Sequence, residues 1–129
     1  MRSLILAVLA TLVFTGPTFG QCLHGPNQDA TQKARRQAAL TLVRAINSTE
    51  STVKAMKGQF LPLAELRLDL TKPEGFEPQF TTDGKSYSLI LRDITDPCRF
   101  AFFTNDAGVI LQGYPIDYDI QPVGKSAAK

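Results

Sequence analysis

Few residues in this 129-residue chain have types and spacings that could do chemistry. Two cysteines, Cys22 and Cys98, offer either a disulfide or a reactive thiol, and the single histidine, His24, is a near neighbour of Cys22. A nucleophile and its base need fixed mutual geometry. His24 sits in a terminal stretch with no obvious element to hold it, so a catalytic thiol is disfavoured. One His and two Cys also fall short of a conventional zinc site. Asp93 and Asp96 could pose as a general acid–base pair, but they flank Ile94-Thr95 at a strand end, where turn chemistry accounts for them. Asp117 and Asp119 place two carboxylates on one side of an extended segment, and with Asp106 they are candidates for weak calcium binding. Such a site needs about six oxygens, so solvated acids are the preferred reading. Gly124-Lys125-Ser126 resembles the end of a phosphate loop, yet Asp119 stands where the first glycine belongs. Asn47-Ser48-Thr49 fits a glycosylation sequon but falls within a helical pattern. No catalytic residue, metal ligand or cofactor site is expected.

The cysteines gain meaning from the start of the chain. Met1-Arg2-Ser3 is followed by an apolar run from Leu4 to Phe14 and by Gly16-Pro17-Thr18-Phe19-Gly20. A positive start, an apolar core and a small-residue exit are the parts of a secretory signal peptide. About eleven apolar residues would span roughly 16 Å as a helix, short of the ~30 Å hydrocarbon core. Cleavage is expected after Gly20. Export would place the protein in the periplasm or outside the cell, where disulfides persist. Cys22 and Cys98 are therefore read as bridged, closing a loop of about 75 residues worth roughly 4 kcal/mol by chain entropy. Two unrelated thiols are the alternative.

Composition sets the class of partner. With 14 Lys+Arg against 12 Asp+Glu, the net charge of +2 gives no electrostatic reason to seek nucleic acid or an anionic membrane. A 43% hydrophobic content supports one packed domain.

Asp29 followed by Gln32 resembles a capping box and predicts a helix from Ala30. At 100° per residue Ala39, Leu42, Val43, Ile46, Val53, Met56 and Phe60 share one face, with Lys33, Arg36, Arg44 and Lys54 opposite. The helix should stop at Gly58, giving a length of roughly 42 Å. Its basic stripe is read as a solvated face, with Glu50 able to pair with Lys54. Leu40 points into that stripe and could, with Leu23, form a small exposed docking patch.

Leu61 to Leu66 reads as a short helical turn. The period then changes to alternation: Phe76–Thr82, with Pro78 confining it to a sheet edge; Lys85–Asp93 after an Asp83-Gly84 hairpin turn; Cys98–Thr104; and Val109–Tyr114. Tyr87, Leu89 and Leu91 share a face. Phe102 and Phe103 must point to opposite faces, leaving one partly exposed. The phenylalanines supply most of the large apolar area. The expected fold is α+β, a long N-terminal amphipathic helix packed on a four-stranded antiparallel sheet. Residues 1–20 form the signal, 21–29 an N-terminal segment, 30–118 the domain and 119–129 a flexible C-terminal tail.

The order of these features resembles the globular part of bacterial type IV pilin-like proteins and type II secretion pseudopilins. The resemblance rests on Ala34-Arg35-Arg36-Gln37-Ala38, Leu42 to Glu50, Gly58-Gln59-Phe60 and Leu63-Ala64-Glu65-Leu66. It continues in Tyr87 and in Phe103 to Ile110, so that residues 33 to 114 are covered. It implies a helix leading into a small antiparallel sheet. The family's filament-forming members carry a long apolar helix directly after the leader, and here the polar Gln21 to Lys33 stands instead. The function so implied is an exported, non-enzymatic binding or structural module of the cell envelope or exterior, with a protein partner, no specific nucleic acid and no membrane once the signal is removed. The alternatives are a membrane-anchored component of a type IV pilus or type II secretion system, and a small secreted hydrolase or enzyme inhibitor.

Overall fold

A computed structural model of the protein describes Cys22 and residues 28–69, 71–114 and 119–123. Residues 1–20, expected to form a signal peptide, and Leu23, His24, Asp117 and the Gly124-Lys125-Ser126 stretch lie outside the described residues.

Helix α1 spans Ala30–Lys57, as its caps dictate. The Asp29 side chain accepts the Gln32 backbone N–H at 2.7 Å, satisfying one of the orphan donors of the first turn. The reciprocal half of a capping box does not form, because the Gln32 side chain reaches across to the sheet instead. At the other end Gly58 adopts φ +74°, a conformation costly for any residue with a Cβ, and its N–H bonds the Lys54 carbonyl. The helix continues unbroken through Ser48-Thr49-Glu50-Ser51-Thr52, although its serines and threonines are poor helix formers.

After α1 the chain makes a single 3₁₀ turn over Leu63–Glu65 and enters the sheet. Strands β1 (Phe76–Thr82), β2 (Tyr87–Asp93), β3 (Ala101–Asn105) and β4 (Leu111–Tyr114) follow in order. A fifth strand, β5 (Asp119–Pro122), pairs antiparallel with β4. The sheet is thus an antiparallel meander with order β1-β2-β3-β4-β5. The four strands expected from the alternation are all present. The segment assigned to the flexible tail differs at its start, since residues 119–122 add to the β4 edge. Pro78 lies on β1, the edge strand, where its missing N–H leaves no ladder bond unmade. The β1–β2 connection is a four-residue loop rather than a two-residue turn, because Thr82 pairs with Tyr87. Asp83 organises it by accepting the N–H groups of Lys85 and Ser86.

The register sorts the side chains. Tyr87, Leu89, Leu91 and Asp93 alternate inward along β2 and are buried. Their cross-strand partners include Thr104 and Phe102 on β3 and Phe76 on β1. Against this face α1 packs Ala39, Leu42, Val43 and Ile46. Each fully buried large apolar side chain contributes about 1.5–3 kcal/mol. Phe102 is buried and Phe103 half-buried, as the pleat requires.

Three helix positions depart from the simple helical wheel. Met56 is 78% exposed, because the last helical turn leaves the core. Leu40 is 9% exposed and belongs to the core cluster rather than to an exposed face, and Leu23, its expected partner in a surface patch, lies outside the described residues. Arg36 is buried rather than solvated. The helix is therefore enclosed on a broader arc than its apolar stripe, and the flank that looked basic is covered at its N-terminal half by Phe100, Phe102 and Tyr114.

Candidate functional site

The residues with chemical potential converge where the first turns of α1 meet the β2–β3 corner, residues 94–100. Two consecutive arginines of α1 each reach one aspartate of that corner. Arg35 pairs with Asp93 at 3.2 Å and Arg36 with Asp96 at 2.8 Å. Both carboxylates are fully buried. A buried charge is tolerated only when paired and hydrogen-bonded, and both conditions are met here.

Asp93 accepts from the Thr95 N–H at 3.0 Å, the Thr95 hydroxyl at 2.7 Å and the Gln32 amide at 2.5 Å, in addition to Arg35. Burial alone pushes its carboxyl up. The Thr95 donors, Arg35 and Gln32 together outweigh burial and hold it below its ordinary value. Asp96 makes a second turn of the same kind, accepting the Cys98 N–H at 3.0 Å. The turn continues through Arg99, which adopts φ +53° and donates its N–H to the Asp96 carbonyl. Both aspartates thus shape the corner with their backbone contacts and hold the helix with their remaining oxygens.

Arg36 lies with its guanidinium carbon 3.9 Å from the Phe100 ring centroid and donates to the Tyr114 hydroxyl at 3.1 Å. A desolvated cation over an aromatic face gains about 2 kcal/mol. Its Nε is buried without a hydrogen-bond partner among the described residues. The ring beneath the guanidinium is the compensating contact.

Directly beside this corner the Cys22–Cys98 disulfide is formed, with Cα atoms 5.1 Å apart and a sequence separation of 76. It ties the segment before α1 to the end of the same turn. Cys22, Cys98 and Asp96 bring their ligand-type atoms within 4.8 Å of one another. The sulfurs are bonded to each other and Asp96 is engaged by Arg36, so the trio is a structural knot.

A groove of about 270 Å³ opens on the outer side of Arg36. Its floor is apolar: Leu40, Phe100, Phe102 and Tyr114. Its rim carries Gln28, Lys33, Gln37 and Gln112. These four side chains make no hydrogen bond or ion pair with any described residue, and none of the described lining residues is acidic. Of the basic stripe expected on α1, Lys33 and Arg44 are exposed, Arg36 is committed to Asp96, and Lys54 donates to the Gly84 carbonyl over the Phe60 ring. A row of four solvated cations therefore does not exist.

The surroundings of two polar side chains of α1, Glu50 in the core and Asn47 half-buried, were not expected from the sequence. Glu50, read as a surface partner of Lys54, is fully buried and accepts the Leu61 N–H at 3.1 Å with Oε2. Its Oε1 has no partner among the described residues. Burial pushes its carboxyl up, opposed by the Leu61 amide. Asn47, the sequon asparagine, donates to the Thr104 hydroxyl at 2.9 Å and accepts from the Tyr87 hydroxyl at 2.8 Å. Its amide is occupied. Burial and the charges of Glu50 and Asp106 push the Tyr87 phenol up to about 12.

Asp106 sits exposed at the β3–β4 turn. Asp117 and the side chain of Asp119 lie outside the described residues, as does any calcium site built on them. Among the described residues no helix is long and apolar enough to cross a membrane. Compared with known proteins, the chain matches no family model, no curated protein and no solved structure.

Proposed function

We propose that this chain is an exported, non-enzymatic domain of pilin-like construction that acts as a binding or structural module of the cell envelope or exterior. The observation that carries this reading is the commitment of its acid–base candidates. Asp93 and Asp96 are buried, ion-paired to Arg35 and Arg36 and tied to backbone amides of their own turn. A general acid or base must instead reach a substrate proton at hydrogen-bond distance. The disulfide supports the location, because such bonds persist in oxidising compartments. The helix-first order of the α+β fold and the Arg35-Arg36 to Ile110 pattern support the pilin-like construction. The partner on this reading is a protein, met after removal of residues 1–20.

N-terminal sequencing of the protein from its native host tests the release. A mature start at Gln21 supports it, and a start at Met1 replaces it with an anchored component of a pilus or secretion machine. A panel of ester, phosphate, peptide and glycoside substrates tests the chemistry. Turnover that disappears on changing Asp93 or Asp96 overturns the non-enzymatic reading.

A further inference from the structure

The groove outside Arg36 has a composition that selects a ligand. Its floor of Phe100, Phe102, Leu40 and Tyr114 suits an apolar side chain. Around that floor stand three uncommitted primary amides, Gln28, Gln37 and Gln112, each able to donate and accept. That is the hydrogen-bonding complement of a peptide unit, which also offers one donor and one acceptor.

Charge narrows the choice further. Asp96 neutralises Arg36, leaving Lys33 as the rim cation, with no acid among the described lining residues to offset it. The groove therefore favours a single negative charge placed near amide groups and an apolar body. At about 270 Å³ it is smaller than a typical drug-sized site of about 300 Å³ or more, enough for a terminal residue and too small for a long segment.

We infer that this groove captures the free C-terminus of a peptide or protein ending in an apolar residue. Lys33 holds the carboxylate, the glutamines hold the last peptide bond, and the aromatic floor takes the side chain. The inference rests on the binding-module reading and names the part of the partner that is held. Lys33 lies one turn from Arg36 on α1, so the corner that fixes the helix also fixes the distance between charge and floor.

The test uses the disulfide-intact chain, isotopically labelled, titrated with acetyl-Ala-Phe as the free acid, with its C-terminal amide and with 3-phenylpropionate. Expected is saturable binding of the free acid, with the Gln37 and Gln112 side-chain amide resonances moving, and about tenfold or more weaker binding of the amide. Lys33→Glu and Gln37→Glu alter exposed positions and should each weaken the free acid about tenfold while leaving the unfolding midpoint unchanged. Equal binding of acid and amide, absence of saturable shifts, or shifts confined to other surfaces would overturn the inference. Binding of 3-phenylpropionate as tight as the peptide would overturn the peptide source. Failure of all three probes leaves the mature N-terminus and the substrate panel as the separate readouts of the binding-module reading itself.

Discussion

Removing either member of the Arg36–Asp96 pair should be far more damaging than removing both. The Asp96 side chain is 0% exposed and that of Arg36 10%, with 2.8 Å between their charged atoms. Arg36→Met leaves the Asp96 carboxylate in the interior without its guanidinium and strips the cation from the Phe100 ring. Asp96→Asn keeps shape but leaves the guanidinium buried without a counter-charge. Each change should destabilise by about 3–5 kcal/mol, the range for breaking a buried pair. The double variant leaves no unpaired charge, so its cost should fall below the sum of the singles by about 2–3 kcal/mol. Arg44→Met, on the exposed side of α1, serves as control and should stay within about 0.5 kcal/mol. Urea unfolding followed by circular dichroism on the disulfide-intact protein measures all four, with constant slope confirming a common unfolded state. Single costs below about 1 kcal/mol, or strict additivity, would refute the idea that this pair anchors helix to sheet.

Gly75 adopts φ +77°, and a Cβ there would collide with the Arg35 guanidinium and come within 2.8 Å of Thr95 Cγ2; Gly75→Ala should therefore lower stability by about 1–3 kcal/mol in the same urea assay. Cys22→Ser opens a loop of 76-residue separation and should cost up to about 4 kcal/mol, read as a fall in the thermal midpoint. Glu50 has its folded pKa raised, so its contribution is present below the ordinary value of 4.5 and is lost as pH rises through the folded value. Glu50→Gln should remove that loss, flattening stability against pH above about 4.5, while Asp93, held low, keeps the opposite slope at stronger acid. Tyr87, raised to about 12 from an ordinary 10.0, should make stability fall between those values as the phenol ionises, and Tyr87→Phe should abolish the fall, followed by phenolate absorbance.

The helix was legible because its signals are local. Asp29 supplies a cap oxygen, Gly58 a left-handed stop, and Ala39, Leu42, Val43 and Ile46 recur at helical spacing. Strands β1 to β4 were legible from alternation, most clearly in Tyr87-Leu89-Leu91. The fifth strand was not, because Asp119 and Pro122 are poor strand residues and the ladder to β4 supplies what propensity lacks. The disulfide pairing followed from having two cysteines behind an export-like leader.

The corner was harder to read. Asp93 and Asp96 were recognised as turn residues, yet nothing in their spacing announces that Arg35 and Arg36, some 60 positions earlier, will pair with them. A helical wheel assigns Arg36 to water because it counts only apolar positions. It cannot foresee that Phe100 and Tyr114 would wrap past the edge of the stripe and give a cation an aromatic seat. The same wrap buries Leu40. Glu50 was misread for a related reason: a carboxylate four residues before Lys54 looks like a surface pair, whereas the chain returning at Phe60-Leu61 covers it and offers a backbone amide. The groove depends on the Arg36–Asp96 pairing and on that aromatic wrap, so Lys33, Arg36, Leu40 and Phe102 each stood out in the sequence while nothing local joined them into a site.

The most direct test of the account is intact-mass and N-terminal analysis of the protein isolated from its native host without reductant. An exported, disulfide-closed module should begin at Gln21, weigh two hydrogens less than its reduced form, and resist thiol alkylation at Cys22 and Cys98 until reduced. A chain that begins at Met1 and alkylates at both cysteines before reduction would contradict it.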